Sequence, residues 1–181
     1  MAEHEAVGGT LRADMLAALP RLRRFCEGLC RQAGDGDELM QATVERALAR
    51  SHQFAPGTRV DSWLFRIAQN LFIDDRRRDR RRGPHVPVGE IIALAGEDGR
   101  TVVEQRSEIA MVYRALDMLP AEQRAAFLLV AVEGQSYREA AEILDVPQGT
   151  VMSRLARARA RIAAILERQD MRALGGDDAR R

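Results

Sequence analysis

The chain has 181 residues, 46% hydrophobic but only 4% aromatic, a composition suited to modest helical bundles in one large or two small domains. Its net charge of +1 conceals segregated fields, with acids crowding Asp35 to Glu38 and Glu90 to Glu108, and bases crowding Arg76 to Arg82 and Arg154 to Arg161. No apolar run approaches a membrane span and the start MAEHEAVGG lacks the basic and apolar pattern of a secretion signal, so a cytoplasmic protein is expected.

In chain order, the first helix is predicted over Leu11 to Arg31, with Leu16, Leu19, Leu22, Phe25 and Leu29 among its apolar positions. Pro20 either kinks it or marks a new start. Cys26 and Cys30 fall one helical turn apart within it, but no histidine or further cysteine stands beside them at metal-site spacing. Buried thiols are therefore favoured over a redox or zinc pair. Gly34-Asp35-Gly36 breaks the pattern, and Asp37 or Asp35 caps a second helix whose apolar stripe is Leu39, Met40, Val44, Ala47 and Leu48. After the turn at Phe54 to Gly57, a third helix starts at Val60 or Asp61. It runs through Trp63, Leu64, Ile67, Ala68, Leu71 and Phe72 into the basic run Arg76 to Arg82. Three helices of this size make one bundle.

Between Gly83 and Gly99 the periodicity fails amid Pro84, Pro87, Gly89 and Gly96, which marks a linker. Val103 to Met118 and Ala121 to Val132 then read as helices, separated by Leu119-Pro120, and Gly175 to Arg181 reads as a tail.

The segment Gln135 to Ile162 carries two helical patterns separated by a tight break. Ser136 caps the first, Ala140, Ala141, Ile143 and Leu144 form its apolar face, and Asp145-Val146-Pro147 stops it. Thr150 is placed to cap the second, which starts near Val151 and turns Val151, Leu155, Ala158 and Ile162 inward. Ser153, Arg154, Arg157 and Arg161 remain on other faces. That build is a helix-turn-helix with a basic reader fit for a DNA major groove, although an exposed amphipathic helix has the same spacing. All 28 positive residues are arginine, which codon bias in a GC-rich genome accounts for without any functional role.

Two separated blocks together resemble the extracytoplasmic-function sigma factors, the compact two-domain members of the bacterial sigma-70 family. Asp37-Glu38-Leu39-Met40-Gln41-Ala42-Thr43 is similar to the helix of the family's second region that binds the polymerase clamp. Trp63 to Leu71, with Asp74 and Arg77, is similar to its promoter-melting helix. In the second block, Leu119-Pro120, Gln123-Arg124, Glu133 to Tyr137, Gly149-Thr150-Val151, Ser153-Arg154-Leu155 and Arg157-Ala158-Arg159 are similar to the family's fourth region. The resemblance covers most of residues 11–168.

It implies an all-α protein of two small helical domains joined by a linker. Residues 11–82 would bind core polymerase and the minus-10 element, 83–102 would link, 103–168 would carry the helix-turn-helix for the minus-35 element, and 169–181 would form a tail. Asp37, Glu38, Met40, Gln41 and Val44 are then expected against polymerase. Asn70 would hold a flipped base, its amide offering both donor and acceptor, while Arg66, Arg76, Arg77, Arg80 and Arg81 hold phosphates. Trp63 is assigned to the core. Thr150, Ser153, Arg154, Arg157 and Arg161 fall to the minus-35 element. The chain departs from the family at Ala42, where an acid is usual, at Val44, where a large aromatic is usual, and at Met152, where many relatives are basic.

Implied partners are core RNA polymerase, promoter DNA and an anti-sigma factor acting in a stress or envelope response, with no membrane insertion, metal or cofactor. No enzyme is expected: His4, His52 and His85 are scattered, Asp74 and Asp75 point apart on a helix, and no phosphate-cradling loop is present. Two alternatives are a sigma-like mimic that sequesters an anti-sigma factor and a dimeric helix-turn-helix repressor. Neither a receiver-like alternation before residue 11 nor an alternative use for Asp37 to Asn70 supports them.

Overall fold

Helical periodicity becomes helix in the computed structural model, which describes residues 2–30, 33–55, 57–82, 111 and 114–175. The expected linker 83–102, residues 103–110 of the helix after it and residues 176–181 of the tail lie outside the described residues.

A first unit holds α1 (Ala2–Leu29), α2 (Ala33–Ala49) and α3 (Val60–Arg82), with a short 3-10 turn at Ser51–Gln53. Leu22, Phe25 and Leu29 of α1 meet Leu64, Phe65 and Ala68 of α3 in a fully buried core, and Ala47 of α2 joins them. Phe25 and Phe65 stack tilted, their ring centroids 4.9 Å apart. α1 begins nine residues before Leu11, because Gly8 and Gly9 each cost a helix only about 1 kcal/mol. Pro20 neither ends α1 nor starts a new helix, since Met15, Ala18, Leu22 and Phe25 anchor the turns on both sides of it.

Two expected core leucines are exposed instead, Leu16 at 67% and Leu48 at 48%. The glycine pair also differs from expectation, lying inside α2. A Cβ on Gly36 would meet the Cα of Glu27 at 2.9 Å, so this glycine lets α2 approach the α1 backbone rather than breaking a helix.

The second unit opens with a helical turn at 114–117, followed by α4 (Ala121–Phe127), which runs into a π-helical segment, Leu128–Val132. There the Glu133 amide donates to the Leu128 carbonyl, five residues back, at 2.9 Å. α5 (Tyr137–Leu144) and α6 (Gln148–Gly175) complete the unit. Its core is Leu116, Leu119, Ala125, Leu129, Ala140, Ile143, Val151, Leu155 and Ala158, with Ile162 packed at its edge. The described residues are thus all-α.

Ser136 caps α5 in a reciprocal box: the Glu139 amide donates to Ser136 Oγ at 3.2 Å, and the Ser136 amide donates to Glu139 Oε2 at 2.8 Å. Ser136→Ala should cost about 0.5–2 kcal/mol, read from the urea midpoint at unchanged slope. Asp145 ends α5 in the left-handed region at φ 52°. α6 starts at Gln148, three residues earlier than expected, because the Pro147 carbonyl accepts from the amides of Thr150 at 2.9 Å and Val151 at 3.3 Å. Thr150 therefore lies inside the first turn and does not cap it.

Candidate nucleic-acid interface

At about 100° of rotation per residue, Thr150, Ser153, Arg154, Arg157 and Arg161 share an arc of about 100° on α6. The fully or nearly buried Val151, Leu155 and Ala158 occupy the opposing inward arc. Burial of that second set is what turns the first outward. Arg157 and Arg161 are exposed, Arg154 and Thr150 are half-buried, and the Ser153 hydroxyl donates back to the Thr150 carbonyl at 3.0 Å. Exposed Met152 stands on the side of α6 away from this arc, so its departure from a basic residue leaves the arginine face intact.

A second face lies on α3. Arg66, Asn70, Arg77 and Arg81 recur at four, seven and four residues and are all exposed, whereas Leu64, Phe65, Ala68 and Leu71 are buried beneath them. Arg76 sits beside this row with its guanidinium over the Phe72 ring at 5.6 Å, and Arg80 lies in the final turns of the same helix. Arg77 and Arg78 reach Asp74 and Asp75 only at 4.0 and 3.8 Å, and exposed pairs of that kind leave the cations available to phosphate. Trp63 is half-buried against Phe54, centroids 5.2 Å apart, in agreement with its assignment to packing.

On α2, exposed Asp37, Glu38 and Gln41 adjoin half-buried Met40 and Val44. Asp37 lies 3.4 Å from Arg23, and Gln41 Nε2 donates to Glu45 at 3.0 Å. Exposed Leu48 continues the Asp37, Gln41 and Val44 row by one turn, giving an acidic and apolar strip. Helical spacing had counted Leu48 as core, and only the packing of Ala47 beside it shows which of the two turns inward.

Sequence reasoning missed a further polar group, because most of its contacts join residues 40 to 112 positions apart. Glu133 is buried, with Arg21 Nε and Arg24 Nη2 at 3.1 and 3.3 Å from Oε2. Arg21 also bonds Asp61 and the Glu133 carbonyl. Arg59 bridges Asp61 at 2.7 Å and Glu139 at 3.0 Å, and Ser62 Oγ lies 3.2 Å from Gln135 Oε1. Burial works to raise the Asp61 carboxyl, but the Arg59 hydrogen bond, the Ser62 amide and the charges of Arg59 and Arg21 outweigh it and hold it below the ordinary range. Glu139 is likewise held low, first by the Ser136 amide and hydroxyl and then by Arg59. A lowered carboxylate stabilises above its unfolded pKa, and that contribution is lost as pH falls through the lowered value.

Cys26 is fully buried and Cys30 partly so. Burial raises both thiols, with Cys30 pushed up to about 12 by desolvation and by the charge of Asp35. Neutral thiols at cellular pH are poor nucleophiles and metal ligands, and the described residues hold no metal-ligating cluster around them. Among the described residues no helix is long and apolar enough to cross a membrane.

Comparison with known proteins matches residues 109–162 to sigma-70 region 4, and residues 15–69 to the Sigma2 domain of PhyR. The ECF RNA polymerase sigma factor EcfG of Rhodopseudomonas palustris is 39% identical over 93% of this chain and 92% of its own length. SigM, an ECF RNA polymerase sigma factor of Mycobacterium tuberculosis, is 38% identical over 81% of this chain and 71% of its own. Among solved structures, the sigma factor RpoE of Bartonella quintana, in complex with the anti-sigma factor NepR, superposes with a TM-score of 0.72 at 31% identity. That match covers 86% of this chain and 96% of the other.

Proposed function

Since the chain belongs to the extracytoplasmic-function RNA polymerase sigma factors of the sigma-70 family, we propose that its exposed faces divide promoter recognition between the two helical units. The observation that carries this reading is the exposure of Asn70 within an arginine row on α3, while α6, the second helix of the helix-turn-helix, presents a second row of arginines. One amide among phosphate-binding arginines suits a helix that must hold an unpaired base and its backbone together.

In this scheme α2 seats on core polymerase through Asp37, Glu38 and Gln41, with Met40 and Val44 adding apolar contact. Arg154 and Arg157 read the minus-35 element in the major groove, and Arg161, Ser153 and Thr150 fix the register of α6. Arg66, Arg76, Arg77, Arg80 and Arg81 hold phosphates around the minus-10 element while Asn70 receives the flipped base. The two domains correspond to residues 11–82 and 103–168, with 83–102 linking them and 169–181 trailing.

No bond is made or broken by this chain. Binding energy selects the promoter and opens the duplex, and polymerase performs the chemistry. The setting is the cytoplasm, where an anti-sigma factor withholds the protein until an envelope or general stress releases it. The anti-sigma factor bound by the Bartonella quintana relative supports that part of the reading.

Arg157→Ala should cost about 1–3 kcal/mol of promoter binding and relax preference at one base pair of the minus-35 element. Selection of promoters from a randomised minus-35 library by the reconstituted holoenzyme measures both effects. An unchanged base profile would remove Arg157 from the reading set.

A further inference from the structure

α6 begins at Gln148, and neither of the first two residues of this tip is used by the packing of the chain. Gln148 is exposed, and its side-chain amide has no hydrogen-bond partner among the described residues. Gly149 is exposed as well. Its backbone is right-handed helix, so no positive φ calls for glycine, and a Cβ built on it would meet nothing within 4 Å. Alanine would fit here without touching the chain and would favour the helix more. A glycine that weakens its helix and is required by no neighbour leaves room for something outside the chain, since the missing Cβ lets the backbone approach a ligand closely.

The polar groups of the tip agree with this. Pro147 has no N–H, and its carbonyl takes the amides of Thr150 and Val151, which leaves the amides of Gln148 and Gly149 without an acceptor among the described residues. They stand at the positive end of a 28-residue helix. The side chain of Gln148 is directed the same way, because every Cα–Cβ bond of a helix tilts toward its N-terminus and a first-position side chain reaches past the helix end. Around the helix axis Gln148 stands outside the arc of Arg154, Arg157 and Arg161, so helical spacing does not pick it out. The groove between Gln148 and α5 is rimmed by Glu142, Asp145 and Arg138, the last paired with Glu142 at 3.1 Å. Two carboxylates beside one shared arginine repel a phosphate from that flank, whereas a base edge carries no net charge and meets no such barrier.

We propose that the tip of α6 is a reading element of its own, in which Gln148 pairs with an adenine of the minus-35 element and Gly149 lets the helix end close on the neighbouring phosphate. The proposal rests on the sigma-factor reading and adds to it a base-specific contact that lies off the arginine face. A helix-turn-helix places the N-terminal residues of its second helix at base edges in the major groove. The amide of Gln148 offers an oxygen to accept from adenine N6 and a nitrogen to donate to N7, a bidentate match that arginine makes with guanine instead. The open amides of Gln148 and Gly149 then donate to a phosphate oxygen, as helix N-termini do, and the missing Cβ of Gly149 is what brings that phosphate within reach.

Selection from a library randomised across the minus-35 element, by holoenzyme reconstituted from core polymerase and the full chain, tests both residues. The wild type is expected to prefer adenine at one position by roughly 5- to 150-fold, the discrimination of a bidentate base contact. Gln148→Ala should lose that preference and keep the others. Gly149→Ala should hold or raise the melting temperature, because alanine is the better helix former, and yet weaken binding to all sequences alike, as loss of a phosphate contact does. A Gln148→Ala profile identical to that of the wild type, or one altered at a base other than adenine, overturns the assignment of Gln148. Binding by Gly149→Ala as tight as that of the wild type overturns the close approach. If the wild-type holoenzyme selects no sequence at all, the sigma-factor reading fails and the tip contact with it, whereas an unchanged Gln148→Ala profile on a selected element removes the tip contact alone and leaves that reading standing.

Discussion

Phe65→Ala should destabilise the first unit by about 3–5 kcal/mol and abolish promoter opening at growth temperature. Phe65 is fully buried, stacks on Phe25 at 4.9 Å, and carries the Arg21 guanidinium over its ring at 5.6 Å. Removing the ring leaves a void between α1 and α3 that backbone-anchored neighbours close only in part. It also strips the cation that ties Asp61 and Glu133 together of its aromatic platform. Urea unfolding followed by circular dichroism reads the stability loss. A loss below about 1 kcal/mol would mean that α3 is held chiefly by α2 and not by the Phe25 contact.

Asn70→Ala should leave the fold untouched and remove function. Asn70 is exposed on α3, and alanine is the better helix former, so the melting temperature should hold or rise slightly. Loss of an amide that pairs with a base edge is worth about 1–3 kcal/mol, which converts to a drop of roughly 5- to 150-fold in open complex at limiting sigma. Permanganate footprinting of unpaired thymines measures this step apart from promoter binding. Equal footprints for wild type and variant would take the base contact away from Asn70 and leave it a bystander among phosphate-binding arginines.

Legibility in the sequence followed the range of the interaction. The inward set Val151, Leu155 and Ala158 is read directly from three- and four-residue steps, and its burial alone turns Arg154, Arg157 and Arg161 outward. Ser136 was legible as a cap for the same reason, since its partner Glu139 stands three residues away. Thr150 was misplaced because proline offers two ways to start a helix, and here the carbonyl of Pro147 rather than the threonine hydroxyl takes the free amides. Leu16 and Leu48 were counted as core because an apolar stripe at helical spacing does not reveal how wide an arc the neighbouring helices cover.

The contact between the units was the part that sequence could not supply. Arg124 reads as one arginine among 28, and its route to the Leu29 carbonyl depends on how two helices 95 residues apart are brought together. Gly28 reads as a weak point in a helix, yet the structure makes it the notch for Leu128. Resemblance to a family reached further than periodicity, since it assigned both helical units to a single chain of the sigma-70 family, to which the chain belongs.

The most direct test of the sigma-factor account is run-off transcription across a genomic promoter library by core RNA polymerase reconstituted with this protein. The account requires new start sites that share upstream motifs at minus 10 and minus 35, and that vanish when the protein is omitted. A folded protein that binds an anti-sigma factor but supports no initiation at any promoter would contradict it, and would identify the chain as a sigma-like mimic.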